Sequence, residues 1–232
     1  MLLTLIIVLC VYFRPAKRLS KSQIPQLYQL MKDVDEVMTS NGVPYVAESG
    51  TLLGAIRHGG LIPWDDDLDI QVFAENEQAL LDLRPQFNAI GIDFAEQGFG
   101  YKLQPIGTRT GTFPFCDVFI IRFDDNGYSY NNDKSFAKCK FHKSEYLPLK
   151  RYKFGDIEIW GPSNGTNFLQ RCYGSDWQKS KNMYSPHAKR KFGVWIRNIT
   201  VPMKPKDYAP ARPTGPLKDR IPKSPGRSTT YA

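Results

Sequence analysis

Residues 63–70 read Pro-Trp-Asp-Asp-Asp-Leu-Asp-Ile, so four carboxylates, Asp65, Asp66, Asp67 and Asp69, fall within five positions bordered by apolar residues. Anions this close repel one another, and burying them uncompensated would cost more than a domain's net stability of roughly 5–15 kcal/mol. Two arrangements resolve the conflict. One is a solvated acidic turn; the other is a site for a divalent cation, which removes the repulsion and takes oxygen ligands. The residues alternate after Asp66. In a strand, positions i and i+2 share a face, so Asp67 and Asp69 point one way while Leu68 and Ile70 point into the core. Two carboxylates about 7 Å apart at their Cα atoms can reach one or two shared cations. By the same alternation Asp66 faces away from Asp67.

Upstream stands Glu48-Ser49-Gly50-Thr51, between an expected strand over 43–47 and an expected helix over 50–58. Gly50 allows close backbone approach, and a helix start offers N–H groups to phosphate, so Gly50 and Thr51 are candidate phosphate-binding residues. Arg57 is either a charge-assisted phosphate ligand or a salt-bridge partner of one of the acids. His58 is either a base or a residue that orients the loop. Trp64 is expected to pack rather than to stack on a base. Asp117 lies inside the β-rich run 116–123 and supplies a third acid, whereas Lys102 and Arg122 read as exposed charges. A plain acidic turn leaves unexplained both the alternation and the glycine turn just before it.

The elements that must carry these residues follow from periodicity. Ile24, Leu27, Met31, Val34 and Met38 form one apolar stripe, which predicts a helix over 22–40 with Ser22 as its cap and Asn41-Gly42 as its stop. Strands are expected over 68–73, 92–95, 101–105, 116–123 and 154–160, with helices over 75–90 and 167–173 and a polar loop or hairpin over 124–143. This is an α/β (α+β) pattern. After Val201, seven prolines and many charges remove any apolar periodicity, which predicts a disordered tail over 202–232.

The 232-residue chain carries a formal net charge of +8, but residues 1–23 hold four Lys/Arg and no acid, and residues 202–232 hold seven Lys/Arg against two acids, leaving the middle at −1. The basic character belongs to the two ends, and no nucleic-acid-binding motif is present, so nucleic acid is not an expected partner. Cys10, Cys116, Cys139 and Cys172 contain no CxxC pair, which argues against a zinc knuckle. The sequons at Asn164 and Asn198 matter only in a secretory compartment. The apolar start MLLTLIIVLCVYF is too short to span a bilayer of about 30 Å as a helix and is followed by basic residues. It fits a signal-peptide core, a clipped signal anchor or a chain start set too far downstream, and is taken as a membrane-proximal segment over 1–21.

The stretch ESGTLLGAIRHGGLIPWDDDLDI closely resembles the signature of the LicD family, which includes the fukutin-related proteins. GTLLG, the Arg57-His58 pair and PWDDDLD match in order and spacing. The later stretch YLPLKRYKFGDIEIWGPSNGTNFLQRCYGSDW resembles that family's second block, and the likeness covers roughly residues 24–180. The resemblance implies a nucleotidyltransferase fold related to polymerase β, a small mixed sheet flanked by helices, over 22–201. It implies a transferase that moves a phospho-alcohol, of the phosphocholine or ribitol phosphate type, from a CDP-activated donor to a sugar hydroxyl of a glycan or glycoprotein. Asp67 and Asp69 fall on the family's metal-binding Asp-x-Asp, Asp65 on the preceding acid, and Asp117 where the third carboxylate is expected; Mg²⁺ or Mn²⁺ is the implied cofactor. The zinc-binding insertion of some animal members has no counterpart. Two other readings stay open: a nucleotidyltransferase that adds NMP to a phosphorylated sugar or alcohol, and a catalytically silent glycan-binding protein. The expected location is a membrane, in the Golgi or secretory pathway if the source is eukaryotic. Removal of residues 1–21 is expected to release the protein from membranes without unfolding it, since the first amphipathic helix starts later. Flotation and melting of the shortened chain check this, and aggregation would place the apolar run in the core.

Overall fold

The first helix, α1 (Gln23–Ser40), forms because its apolar residues recur on one face, and it buries Leu27, Leu30, Met31, Val34, Val37 and Met38. The computed structural model describes residues 18–131, 139–182, 200–221 and 231. The expected cap at Ser22 is displaced: Ser22 is already helical, and its side chain makes no cap hydrogen bond. Ser20 caps instead. The Gln23 N–H donates to Ser20 Oγ (3.2 Å), and the Ser20 N–H donates to Gln23 Oε1 (3.0 Å), a reciprocal capping pair. Gly42, at φ +72°, ends the helix as expected.

The central sheet has the order β1-β2-β5-β4-β3, with β1 (Val46–Ala47), β2 (Leu68–Phe73), β3 (Ile92–Gln97), β4 (Gly100–Pro105) and β5 (Cys116–Phe123). The strand β6 (Ser129–Tyr130) pairs with the end of β5. Only β2 and β5 run parallel; the other pairings are antiparallel, so the sheet is mixed. Between β1 and β2 lies α2 (Ser49–Leu53), which continues as one π-turn over Gly54–His58 and stops at Gly59, φ +70°. The single helix expected over 75–90 is instead a 3₁₀ turn followed by α3 (Glu77–Asp82) and α4 (Arg84–Ala89). Pro85 has no N–H to donate to the preceding turn, which breaks the run at Leu83. Next come α5 (Lys143–Tyr146), the hairpin β7 (Lys150–Phe154) and β8 (Ile157–Gly161), α6 (Gly165–Tyr173), and a small ribbon of β9 (Ser180–Asn182) with β10 (Thr200–Pro202).

Polar contacts tie the hairpin to α1. Arg151 holds the Asp35 carboxylate with two N–H bonds of 2.6 and 2.9 Å. The Tyr45 hydroxyl donates to Asp35 (2.7 Å) and accepts the Trp160 N–H (3.2 Å). On the other side of α1, the buried Tyr28 hydroxyl accepts the Leu61 N–H (3.0 Å) and donates to the Ala211 carbonyl (2.8 Å). Gly60 and Gly155 are needed there, because a Cβ at either would stand 2.3 or 2.5 Å from Tyr28.

The composition of 202–232 predicts disorder, yet residues 202–221 lie along the domain. Ala211 is buried and donates its N–H to Leu61 O (2.9 Å); Lys218 exchanges main-chain bonds with the Gln29 amide; Arg220 pairs with Asp33 at 3.3 Å. Burial pushes the Asp33 carboxyl up to about 6, opposed by the Gln29 hydrogen bond and by Arg220. The segment attaches through main-chain and charged groups and through the scattered apolar residues Ala211, Leu217 and Ile221, which follow no period. Residues 222–230 and the apolar start 1–17 lie outside the described residues. Among the described residues no helix is long and apolar enough to cross a membrane.

Truncation after Val201 therefore removes partners of Tyr28, Gln29 and Asp33 together. Loss of the Tyr28–Ala211 hydrogen bond and of the Arg220–Asp33 pair, with Asp33 still held by Gln29, should cost about 1–3 kcal/mol, a fall in melting temperature of roughly 2–12 °C for a domain of this size. Differential scanning fluorimetry checks it; an unchanged midpoint would mean the segment lies only loosely on the surface.

Candidate metal and phosphate site

The parallel pairing of β2 with β5 sets Asp69 directly opposite Asp117. Asp67 stands two residues earlier, and one carboxylate oxygen from each of Asp67, Asp69 and Asp117 lies within 4.8 Å of the others. The three acids that the sequence singles out are thus brought together, Asp69 and Asp117 by two neighbouring strands and Asp67 by the end of the turn that leads into β2. A second group, Asp65, Asp66 and Asp67, is equally tight. Asp66 does not turn away as alternation predicts, because β2 begins only at Leu68 and residues 65–67 still belong to the turn before it.

The glycine turn supports this cluster from below. The Glu48 N–H donates to Asp69 O (3.0 Å), and the Asp69 N–H donates to Thr51 Oγ1 (2.8 Å), so both main-chain groups of Asp69 are held by the start of α2. Thr51, expected to touch phosphate, here positions Asp69. Gly50 is obligatory: a Cβ on it would lie 2.0 Å from Asp65 Oδ2. The carboxylate of Asp65 rests against the glycine where close approach by a phosphate was expected. Ser49 takes φ +43°, a left-handed conformation that strains a residue with a Cβ and that is found at functional sites.

Burial pushes the Asp69 carboxyl well up, and the charges of Asp67, Asp65, Asp117 and Glu48 add to it. Glu48 was not foreseen as a site residue. It is buried, its Oε2 has no hydrogen-bond partner, and burial together with Cys139 pushes its carboxyl up to about 8 against hydrogen bonds from Ser49. Tyr173 was missed as well. Its ring is partly exposed, but burial of the hydroxyl and the charges of Asp65, Asp69 and Glu48 raise its pKa well above the usual phenol range. Lys102, read from sequence as an exposed charge, is buried and ion-paired with Asp117. Its burial follows from the pairing of β4 with β5, which sets it opposite Asp117. Arg122 is half-buried and pairs with Glu77 at 3.5 Å.

Arg57 and His58 leave the π-turn toward other partners. Arg57 Nη1 donates to the carbonyl oxygens of Trp177 (2.6 Å) and Ser180 (2.9 Å), and among the described residues it makes no salt bridge to an acid. Burial lowers its pKa to about 10, which leaves it charged at neutral pH. The buried His58 ring nitrogen Nε2 bonds the Asp207 carbonyl (3.1 Å); burial, then the charge of Arg57, lower its pKa to about 4, so it is neutral. The contact ties the π-turn to the chain at Asp207. Trp64 packs edge-on to His58, with Lys181 4.5 Å and Arg18 5.8 Å from its ring centre. Both cations also hold Asp207 at 2.8 and 3.0 Å. Burial works to raise the Asp207 pKa, but the Lys181 bond, the Lys204 N–H and the two positive charges outweigh it and hold it at about 2.

Residues 42–164 match the family model described as LicD/FKTN/FKRP, nucleotidyltransferase domain. The chain belongs to the LicD/FKTN/FKRP family. It is 39% identical over 212 residues to an uncharacterized Rickettsia prowazekii protein, RP689, covering 88% of this chain and 75% of that one. It is 50% identical over 150 residues to the human ribitol 5-phosphate transferase FKRP, covering 60% of this chain but only 29% of FKRP. With the Haemophilus influenzae lipopolysaccharide cholinephosphotransferase LicD it shares 46% identity over 41 residues, 18% of this chain and 16% of that one. The solved lincosamide antibiotic adenylyltransferase LnuA, lincomycin-bound, overlaps at TM-score 0.40 and 15% identity over 66% of this chain and 86% of that one, too loosely to inform the site. In this nucleotidyltransferase-fold domain the acidic clusters are compatible with a metal ion. The donor set is all carboxylate oxygen, which suits hard cations such as Mg²⁺ or Mn²⁺.

The Glu48 carboxyl gives a sign-definite test in chelator. A raised carboxyl pKa means that the folded protein keeps a proton the unfolded chain releases, so its stabilising contribution is complete below pH 4.5 and is lost as pH rises toward 8. Glu48→Gln cannot titrate. Its stability relative to wild type should therefore grow with pH through that window, by up to roughly 1.4 kcal/mol per pH unit. Denaturant melts of both proteins at about pH 5 and about pH 8 check it; a constant difference would show that Glu48 titrates normally.

Proposed function

We propose that this LicD-family chain is a metal-dependent transferase that moves a phospho-alcohol, of the phosphocholine or ribitol phosphate type, from a CDP-activated donor to a sugar hydroxyl of a glycan or glycoconjugate. The observation that carries the proposal is the convergence of Asp69 and Asp117, on adjoining strands, with Asp67 in the turn just before β2, in a LicD-type domain. The printed activities of the relatives FKRP and LicD, a ribitol 5-phosphate transferase and a cholinephosphotransferase, support the reaction class.

In this reading Asp67, Asp69 and Asp117 hold Mg²⁺ or Mn²⁺, which when bound supplies positive charge to the donor diphosphate. The acceptor hydroxyl attacks the phosphorus that bears the alcohol, the bond from that phosphorus to the bridging oxygen breaks, and CMP departs with the electron pair. The proton of the hydroxyl passes to solvent or to a carboxylate of the site. Asp117 is the poorer choice for that proton because an ammonium already engages it; its role is to hold charge. Asp65, braced on Gly50, and Thr51, bonded to the Asp69 N–H, keep the acids in register. Arg57 and His58 act at a distance, by fixing the chain at 177–180 and at 207 around the turn that precedes the acids. We place the apolar N-terminus at a membrane surface, as its sequence suggests.

The nearest rival is transfer of NMP from a nucleoside triphosphate to a phosphorylated sugar or alcohol. It differs in its leaving group: pyrophosphate instead of CMP. Incubation with CDP-choline, CDP-ribitol, CDP-glycerol and CTP, reading released CMP and pyrophosphate, decides between them. CMP release from one CDP-alcohol that needs Mg²⁺ or Mn²⁺ is expected; pyrophosphate from CTP alone would favour the rival. With the preferred donor, Asp67→Asn and Asp69→Asn should each lower turnover on the order of 10²-fold or more while the fold is retained. Either variant with full activity and tight metal binding would return the acidic stretch to a plain turn.

A further inference from the structure

Among the described residues, Lys102 is a cation that the chain itself supplies to the acidic cluster. Lys102 on β4 stands opposite Asp117 on β5, which stands opposite Asp69 on β2, so an ammonium and two acids lie in one row across three strands. The lysine is only 9% exposed. Its Nζ bonds Asp117 Oδ1 and lies 3.6 Å from the centre of the Phe115 ring. A lysine serving only to balance an acid has no need of such a seat, since water screens exposed pairs at little loss. Here the carboxylate and the aromatic face both hold the ammonium, and the ring would keep it in place if Asp117 turned toward a metal. The bond from Lys102 to Asp117 Oδ1 places a protein-borne positive charge on the β4 side of the cluster.

We infer that Lys102 is a substrate-binding cation of this site, its ammonium, seated between Asp117 and Phe115, pairing with a phosphate oxygen of a nucleoside diphosphate held at the metal-loaded cluster. The inference rests on the CDP-donor reading above. It has a consequence that a purely structural lysine does not. The same positive charge that attracts phosphate repels a divalent ion a few ångströms away, so removing it should move the two affinities in opposite directions.

The test uses Mn²⁺ alone and then CDP at saturating Mn²⁺, with free Mn²⁺ followed by electron paramagnetic resonance and CDP binding by calorimetry. Lys102→Met should bind Mn²⁺ several-fold more tightly than wild type, and CDP roughly tenfold or more weakly, the size of a lost charge-assisted hydrogen bond. Lys102→Arg should recover most of the CDP affinity. If the methionine variant does not fold, Lys102→Gln keeps a donor for Asp117 without the charge and answers the same question. Unchanged CDP affinity in the neutral variants would overturn the inference, and so would a parallel loss of Mn²⁺ and CDP binding, which would reduce Lys102 to a prop for Asp117. Failure of the donor reading is distinguishable, because it would show in the wild-type protein as no binding of Mn²⁺ or CDP.

Discussion

The parallel pairing of β2 with β5 is the constraint on which the acidic site depends. It places Asp69 beside Asp117 in a sheet whose other face is apolar, and neither acid can withdraw without breaking a ladder that also seats Ile70 opposite Val118 and Val72 opposite Ile120. Mutual repulsion is thereby confined to side chains on a backbone that cannot relax. The main chain of Asp69 is fixed twice more, through Glu48 and Thr51. Local strain at Ser49 and burial of an unpaired Glu48 oxygen lie at the same point. Such departures from the relaxed state persist where the surrounding packing over-determines them, and they gather at sites that handle ligands.

The acids reach that ladder from a turn, and the turn needs its own anchor. Leu61 supplies it, giving its N–H to Tyr28 and its carbonyl to the Ala211 N–H. Tyr28 in turn is packed against two glycines that admit no side chain. A helix at the start of the chain and a segment near its end thus meet at the residue that leads into Pro63-Trp64-Asp65. The chemistry is local in sequence, whereas its positioning draws on residues almost two hundred positions apart.

That difference sets what could be read from the sequence. Strand alternation places Asp69, and an acid inside an apolar strand gives Asp117, because period and polarity conflict there in a way that a site explains; Asp67 joins them from the turn, where alternation reaches the right residue without a strand beneath it. The sheet strands and α1 were legible for the same reason. Alternation failed at Asp66, where the chain is still a turn and period two has no meaning. It failed for Lys102, whose burial depends on which strand lies next to β4, a pairing that no local pattern states. The packed segment 202–221 is illegible because it docks through main-chain groups, Arg220, a buried Asp207 and irregularly spaced Ala211, Leu217 and Ile221, which make no apolar rhythm. Glu48 and Tyr173 carry no spacing signal of their own; they become site residues only when α2 and α6 are brought against β2.

The distribution of positive charge bears on what the cluster requires. The chain carries a net charge of +8, so cations are plentiful, and several described near the acidic turn hold other partners. Arg57 binds two carbonyl oxygens, and Arg18 and Lys181 bracket Trp64 and hold Asp207. Lys102 is directed at the cluster and engages Asp117. The β2–β5 ladder nevertheless keeps Asp69 beside Asp117, with Asp67 within reach of both. A divalent ion and an anionic substrate arriving together can satisfy acids held this close without leaving either charge unbalanced, which is the condition a diphosphate-handling enzyme must meet.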